Sequence, residues 1–241
     1  MVDIQVQFRS AAGRACLDEP AGLRGVPVEE RAPLSEPRAY KGRHSILTKW
    51  VSATGQVVWC ASTVQLGAAM LLDFEPDIVC FQSRVVKVHW EQDGRRGTVE
   101  PAFVARTRNG SRLVFVHPPR SGAGADEDVE ERVMRQAAEG AGWEVRPLPV
   151  PRGVLRSSLE SAAHFCGAEF TADDRARQVL LEVFAAPRPL QEGAAASSLG
   201  LKALGYAWHL VWTGELTCDW TKPLVPTSPV WARRAAAVKE A

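Results

Sequence analysis

The sequence predicts an α/β protein: a mixed β-sheet core flanked by helices, followed by a small helical, winged-helix-like unit. Three observations carry this. Segments with strand period alternate with segments of helical period between residues 50 and 150. Within them, EPAFVARTRNGSRLVFVHPP, residues 100–119, reads as two apolar strands joined at Asn109-Gly110, a strong short hairpin signal because both residues tolerate positive φ. Beyond PLPVPRG the texture changes to helices that end in a short hairpin.

Residues 1–36 are rich in Gly, Pro and charge and read as a flexible N-terminal arm. Trp50-Val51 and Val57-Val58-Trp59 flank a Ser-Ala-Thr-Gly turn, and a helix follows from Ser62 to Leu72, closed by Pro76. A strand from Val85 to Trp90 and a polar turn at Asp93-Gly94 lead into the hairpin. In residues 126–140, Val129, Val133, Met134 and Ala137 recur at helical spacing behind an acidic first turn, and WEVRPL reads as one more strand. The core domain therefore spans 37–150. A second unit, 151–231, holds helices at Leu155–Cys166 and from Thr171 to about Ala186, then the apolar LKALGYAWHLVW and a hairpin in TGELTCDWTKPL, before a tail at 232–241. Trp208, Trp212 and Trp220 read as core of this unit.

Composition excludes several classes. No apolar run has the length of a membrane span and MVDIQVQFRS lacks the apolar stretch of a signal peptide, so a cytoplasmic protein without membrane partners is expected. The five cysteines (Cys16, Cys60, Cys80, Cys166, Cys218) form no CxxC pair and the five histidines stand at no ligand spacing, so neither a zinc site nor a disulfide framework is indicated. A net charge of +1 argues against nucleic-acid binding through bulk charge, leaving local clusters: Lys41 and Arg43 with their neighbours, Arg95-Arg96, and Arg106, Arg108 and Arg112 around the hairpin tip.

A two-residue Asn109-Gly110 loop pairs residues whose numbers sum to 219, so Ala102 faces His117, Val104 faces Phe115 and Glu100 faces Pro119, all on one side of the hairpin unless a bulge shifts the pairing. The hairpin lies in a longer pattern: YKGRHSILTKWVSATGQVVWCASTVQLGAAMLLDFEPDIV, then VHW, PAFVARTRNGSRLVFV and HLVWTGELTCDWTKPL. This pattern resembles the TnsA-like endonuclease subunits of heteromeric Tn7-type transposases, over roughly residues 38–230. The resemblance implies a restriction-endonuclease-like mixed sheet, a DNA partner, a DDE-type transposase subunit and an AAA+ regulator ATPase. It also implies a Mg²⁺ site built from a glutamate on the first helix, an aspartate in P-D-F, and an acid or amide two positions before a lysine.

At the matching positions the chain carries Ala61 and Gln65, then Ala102 within Pro101-Ala102-Phe103, then Phe115 and His117. Carboxylates supply the hard oxygen ligands Mg²⁺ requires, and alanine and phenylalanine supply none. The expectation is a catalytically degenerate subunit that acts by binding DNA or a partner, with no catalytic residue, metal or cofactor of its own. A rival expectation is an active Mg²⁺-dependent endonuclease rebuilt around Glu100, which lies two residues from Ala102, with Glu75, Asp77 or Glu91 as further acids. A third is a stand-alone DNA-binding protein.

Overall fold

The computed structural model describes residues 2–35, 48–117 and 125–233. The chain divides into two compact units, Met1–Val150 and Pro151–Ala241. The first contains β1 (Asp3–Arg9), β2 (Ala15–Asp18), β3 (Thr48–Val51), β4 (Val57–Cys60), α1 (Thr63–Phe74), β5 (Ile78–Gln82), β6 (Lys87–Gln92), β7 (Arg95–Val99), β8 (Phe103–Thr107), β9 (Arg112–Val116), α2 (Ala125–Ala141) and β10 (Glu144–Pro147).

One sheet of this unit has the order β10-β9-β8-β5 and is mixed, because β10 runs parallel to β9 while β8 is antiparallel to both of its neighbours. A second, antiparallel sheet has the order β2-β1-β6-β7, and β3 and β4 form a separate hairpin. Val104 and Val114 of the mixed sheet meet Val6 and Val88 of the antiparallel sheet, together with Val133, Met134 and Ala137 of α2, in one buried cluster. The opposite face of the mixed sheet carries Phe103 and Leu113, and Phe81 meets Phe103 edge-on with ring centroids 5.6 Å apart.

The N-terminal segment is not the flexible arm its composition suggests. Ile4, Val6 and Phe8 of β1 alternate inward and are buried, and β1 pairs with both β2 and β6, so a period-two run precedes the Gly- and Pro-rich stretch that obscures it. Lys41 and Arg43 lie outside the described residues, as does the tail beyond residue 233.

The hairpin exists, but its register differs from the simple expectation. Phe103 pairs with Phe115 and Arg106 with Arg112, and the Thr107 N–H donates to the Ser111 carbonyl, which leaves Arg108, Asn109 and Gly110 in a three-residue loop. Gly110 alone takes positive φ (86°), while the Asn109 side chain accepts the Ser111 N–H at 3.0 Å. That bulge-type loop moves every pairing by one residue, so Phe115 faces Phe103 rather than Val104. The tight turn with both central residues at positive φ is instead Asp93-Gly94 (52° and 75°), between β6 and β7.

The second unit comprises α3 (Gly153–Ala163), α4 (Asp174–Val183), β11 (Arg188–Pro189), α5 (Leu190–Ala196), α6 (Ala203–Trp212), β12 (Leu216–Cys218) and β13 (Pro229–Ala232). Its three strands have the order β11-β13-β12, so the partner of β12 lies beyond the TGELTCDWTKPL segment. Asp173 caps α4 by accepting the Ala176 N–H at 2.7 Å. α6 is buried along most of its length: Phe165 stacks on Trp208 at 5.3 Å, and the two ring nitrogens of His209 meet the Phe165 carbonyl (2.7 Å) and the Thr171 hydroxyl (3.3 Å). Trp208 and Trp212 are buried core residues and Trp220 is half-buried.

Candidate functional site

The first helix begins where the sequence signals it. The Ser62 side chain accepts the Gln65 N–H at 3.1 Å, and Gln65 Oε1 reaches back to accept the Ala61 N–H at 2.6 Å, a reciprocal cap written as Ser-x-x-Gln. Because its oxygen is engaged there, the Gln65 amide nitrogen is the end that faces His117, 3.4 Å from Nε2. That nitrogen can only donate, so a hydrogen bond between the two has His117 Nε2 as its acceptor.

This contact joins α1 to the end of the hairpin across 52 residues of chain. Around it lies a cavity of about 110 Å³ lined by Trp59, Ala61, Gln65, Ser83, Arg84, Glu100, Pro101, Ala102 and His117. Four of the five positions the resemblance singled out, Ala61, Gln65, Ala102 and His117, meet here together with Glu100. Phe115 does not. It lines a larger hollow of about 570 Å³ with Leu71, Leu72 and Leu113. The expected face shared by Ala102 and Phe115 is thus replaced by two separate environments.

A Mg²⁺ ion does not fit the residues at this cavity. Glu100 supplies its one carboxylate, and that group already faces Lys87 Nζ at 3.4 Å. A divalent cation keeps its waters unless several oxygen ligands replace them. Of the other acids considered, Glu75 and Asp77 line the larger hollow and Glu91 lies on the outer face of the antiparallel sheet beside Asp3. None joins Glu100.

The arginines at the hairpin tip have partners within the chain. Glu29 is fully buried and offers one oxygen to Arg106 (2.9 Å) and the other to Arg112 (3.1 Å), while Glu30 takes a second Arg106 nitrogen at 2.5 Å. Arg108 donates to the Pro76 carbonyl. Arg106 and Arg112 therefore tie the N-terminal segment to the sheet through a buried carboxylate from 77 and 83 residues away. Glu29, Glu30 and Cys80 do bring ligand atoms within 4.8 Å of one another, but the arginines occupy the carboxylates, so the group is an ion-pair network. Arg95 and Arg96 remain exposed on β7, Arg96 beside His89 and Thr98.

Asp73 near the end of α1 is a half-buried acid that no sequence motif singled out. Its carboxylate accepts the Trp50 indole N–H at 3.1 Å and the Ala53 N–H at 3.0 Å, which ties the β3–β4 hairpin to the helix. Burial pushes it up to about 6, against the opposing effect of those two donors. Its signal is a lone acid inside the apolar AAMLLDF run.

No protein-family model matches the chain, and a search of curated proteins returns no relative. Among the described residues, no helix is long and apolar enough to cross a membrane.

Proposed function

We propose that the chain is a nuclease-fold subunit without cleavage activity, which acts by binding a partner in a transposition or mobile-element assembly. The observation that carries the reading is the Gln65–His117 contact: a helix start and a hairpin end converge on one cavity, as a metal nuclease would need, with an amide and an imidazole where a carboxylate and a lysine would stand. The mixed sheet with α1 and the hairpin meeting at its edge supports the restriction-endonuclease-like frame.

Protein partners are favoured over sequence-specific DNA. Two of the three tip arginines are neutralised internally. α5 and α6 followed by β12 and β13 support a winged-helix-like second unit, yet α6 carries no Lys or Arg and its sides are covered by Phe165, Phe170 and Thr171. A helix that reads a groove must present side chains to base edges. A DDE-type transposase subunit or an AAA+ ATPase is the class of partner the reading implies.

Purified protein incubated with supercoiled plasmid in Mg²⁺ or Mn²⁺ is expected to leave it intact, and Ala102→Asp alone is expected to change nothing, since a single added carboxylate leaves the ion under-coordinated. The second reading, an active endonuclease using Glu100, draws on that residue's place in the cavity beside Lys87. Metal-dependent nicking that disappears in Glu100→Gln would establish it and end the first.

A further inference from the structure

In the sheet β2-β1-β6-β7 the strand β2 stands at one edge, and among the described residues no strand lies beyond it. Antiparallel pairs alternate between those that exchange backbone hydrogen bonds and those that do not. The Ser10 N–H donates to the Arg14 carbonyl at 2.8 Å and sets the phase, so Phe8–Cys16 and Val6–Asp18 are bonded pairs while Arg9–Ala15 and Gln7–Leu17 are not. The backbone N–H and C=O groups of Ala15 and Leu17 therefore point away from β1, out of the sheet edge.

Open edges are commonly guarded by like charge or by proline. At the opposite edge of this sheet β7 begins with Arg95-Arg96, and β10, an edge of the mixed sheet, ends in Pro147. β2 has neither guard: it consists of Ala15, Cys16, Leu17 and Asp18, and Leu17 is 54% exposed. The run Arg14-Ala15-Cys16-Leu17-Asp18 is complementary to its own reverse. An antiparallel copy centred on Cys16 sets Ala15 against Leu17 and Arg14 against Asp18, so every outward backbone group of β2 finds a partner, Leu17 gains an apolar neighbour and each cation meets an anion. The Asp18 carboxylate accepts the Glu19 N–H at 2.8 Å, which leaves it lone pairs for a guanidinium. Centring on Ala15 or on Leu17 instead separates Arg14 from Asp18 and sets the outer residue against Gly13 or Glu19, outside the strand.

We infer that two copies of the chain join through β2, antiparallel about a two-fold axis at Cys16, so that their antiparallel sheets become one continuous sheet. Ala15 of each copy exchanges both backbone bonds with Leu17 of the other, and the interface is the same patch on both. The two Cys16 residues form a non-bonded pair on the axis, with Cα atoms about 4.5 Å apart, inside the roughly 4.4–6.8 Å that a disulfide spans. With 4 residues on each side the contact is small, so the dimer is weak and fills with concentration.

The test follows sedimentation of the full-length protein under reducing conditions from about 5 to about 200 µM, where a monomer–dimer equilibrium is expected. Asp18→Arg sets arginine against arginine and should weaken the dimer about tenfold or more, whereas Arg14→Asp combined with Asp18→Arg exchanges the charges and should restore it to within about threefold of wild type. Leu17→Pro removes an N–H that points away from β1, so it should leave a folded monomer, and thermal melting in dilute solution checks that fold. Diamide takes two protons and two electrons from a pair of thiols, which join as a disulfide while it becomes the hydrazine. A diamide-linked dimer is expected of wild type and should be lost in Cys16→Ser.

A monomer at every concentration overturns the inference, as does a dimer that Asp18→Arg leaves unchanged or that the exchanged pair fails to restore. If Leu17→Pro melts early, the charge exchange carries the test, because it is read as recovery of the dimer rather than as its loss.

Discussion

Two regions of one hairpin treat charge in opposite ways. Toward its tip, Arg106 and Arg112 converge on the fully buried Glu29, a carboxylate whose two oxygens are both ion-paired. Near its open end, the Gln65 amide meets the His117 imidazole, and the one acid, Glu100, stands beside Lys87. At the tip a shared carboxylate fastens one segment to another, whereas near the open end an amide and an imidazole make the contact between elements. A charged residue type is therefore a poor guide to a functional surface until its partner is known.

The comparison breaks most visibly at Glu29. Glu29→Ala removes the shared acid and leaves two arginines, one of them only 13% exposed, without it; a loss on the order of 3–5 kcal/mol in urea unfolding is expected. A loss below about 1 kcal/mol would mean the clamp is solvated and would restore the tip arginines as candidates for phosphate. The companion measurement is DNA binding by the Arg106→Ala, Arg112→Ala pair, for which the slope of affinity against salt is expected to stay unchanged while stability falls.

Asp73 sharpens the contrast because its half-buried carboxylate is held by two neutral hydrogen-bond donors, the Trp50 indole and the Ala53 N–H. Its folded value of about 6 lies above the ordinary 3.8, so the folded state holds the proton more tightly than the unfolded chain. The sign is therefore opposite to that of an ion-paired carboxylate: the cost of burying the charge is present above pH 6 and is relieved as pH falls from 6 toward 4. The stability of wild type relative to Asp73→Asn should rise by roughly 2–3 kcal/mol between pH 7.5 and 4.5, and a difference that falls with acid would contradict the assignment.

At the open end of the hairpin a smaller effect is expected. Gln65→Ala removes the reciprocal cap and the contact to His117 and should cost about 1 kcal/mol, with Gln65→Glu recovering the cap part of it. Smallest is the behaviour of the thiols. Burial pushes Cys60 and Cys218 up to about 12 and raises Cys80, so at pH 8 a thiol reagent should modify Cys16 and Cys166 in the folded protein and reach the other three only after unfolding.

Much of the fold was legible locally. Ser62 and Gln65 announce the start of α1, Val133, Met134 and Ala137 mark the buried side of α2, and Asn109-Gly110 places the hairpin, because caps, helical stripes and turns depend on residues a few positions apart. β1 was legible too, in the alternation of Ile4, Val6 and Phe8, but the Gly, Pro and charge that follow it dominate any average over the segment. β13 was not, since β12 finds its partner across the intervening loop rather than at an adjacent turn.

By itself the sequence determined which positions carry no carboxylate: Ala61, Gln65, Ala102 and His117 cannot assemble a carboxylate site wherever the chain places them. Tertiary structure alone decided that these four meet and that Phe115 stands apart, because their convergence depends on where the start of α1 meets the end of the hairpin, 52 residues further along the chain. It alone also gave Arg106 and Arg112 their partner. An ion pair depends on distance in space, and Glu29 lies far from both along the chain, so no local pattern announces it.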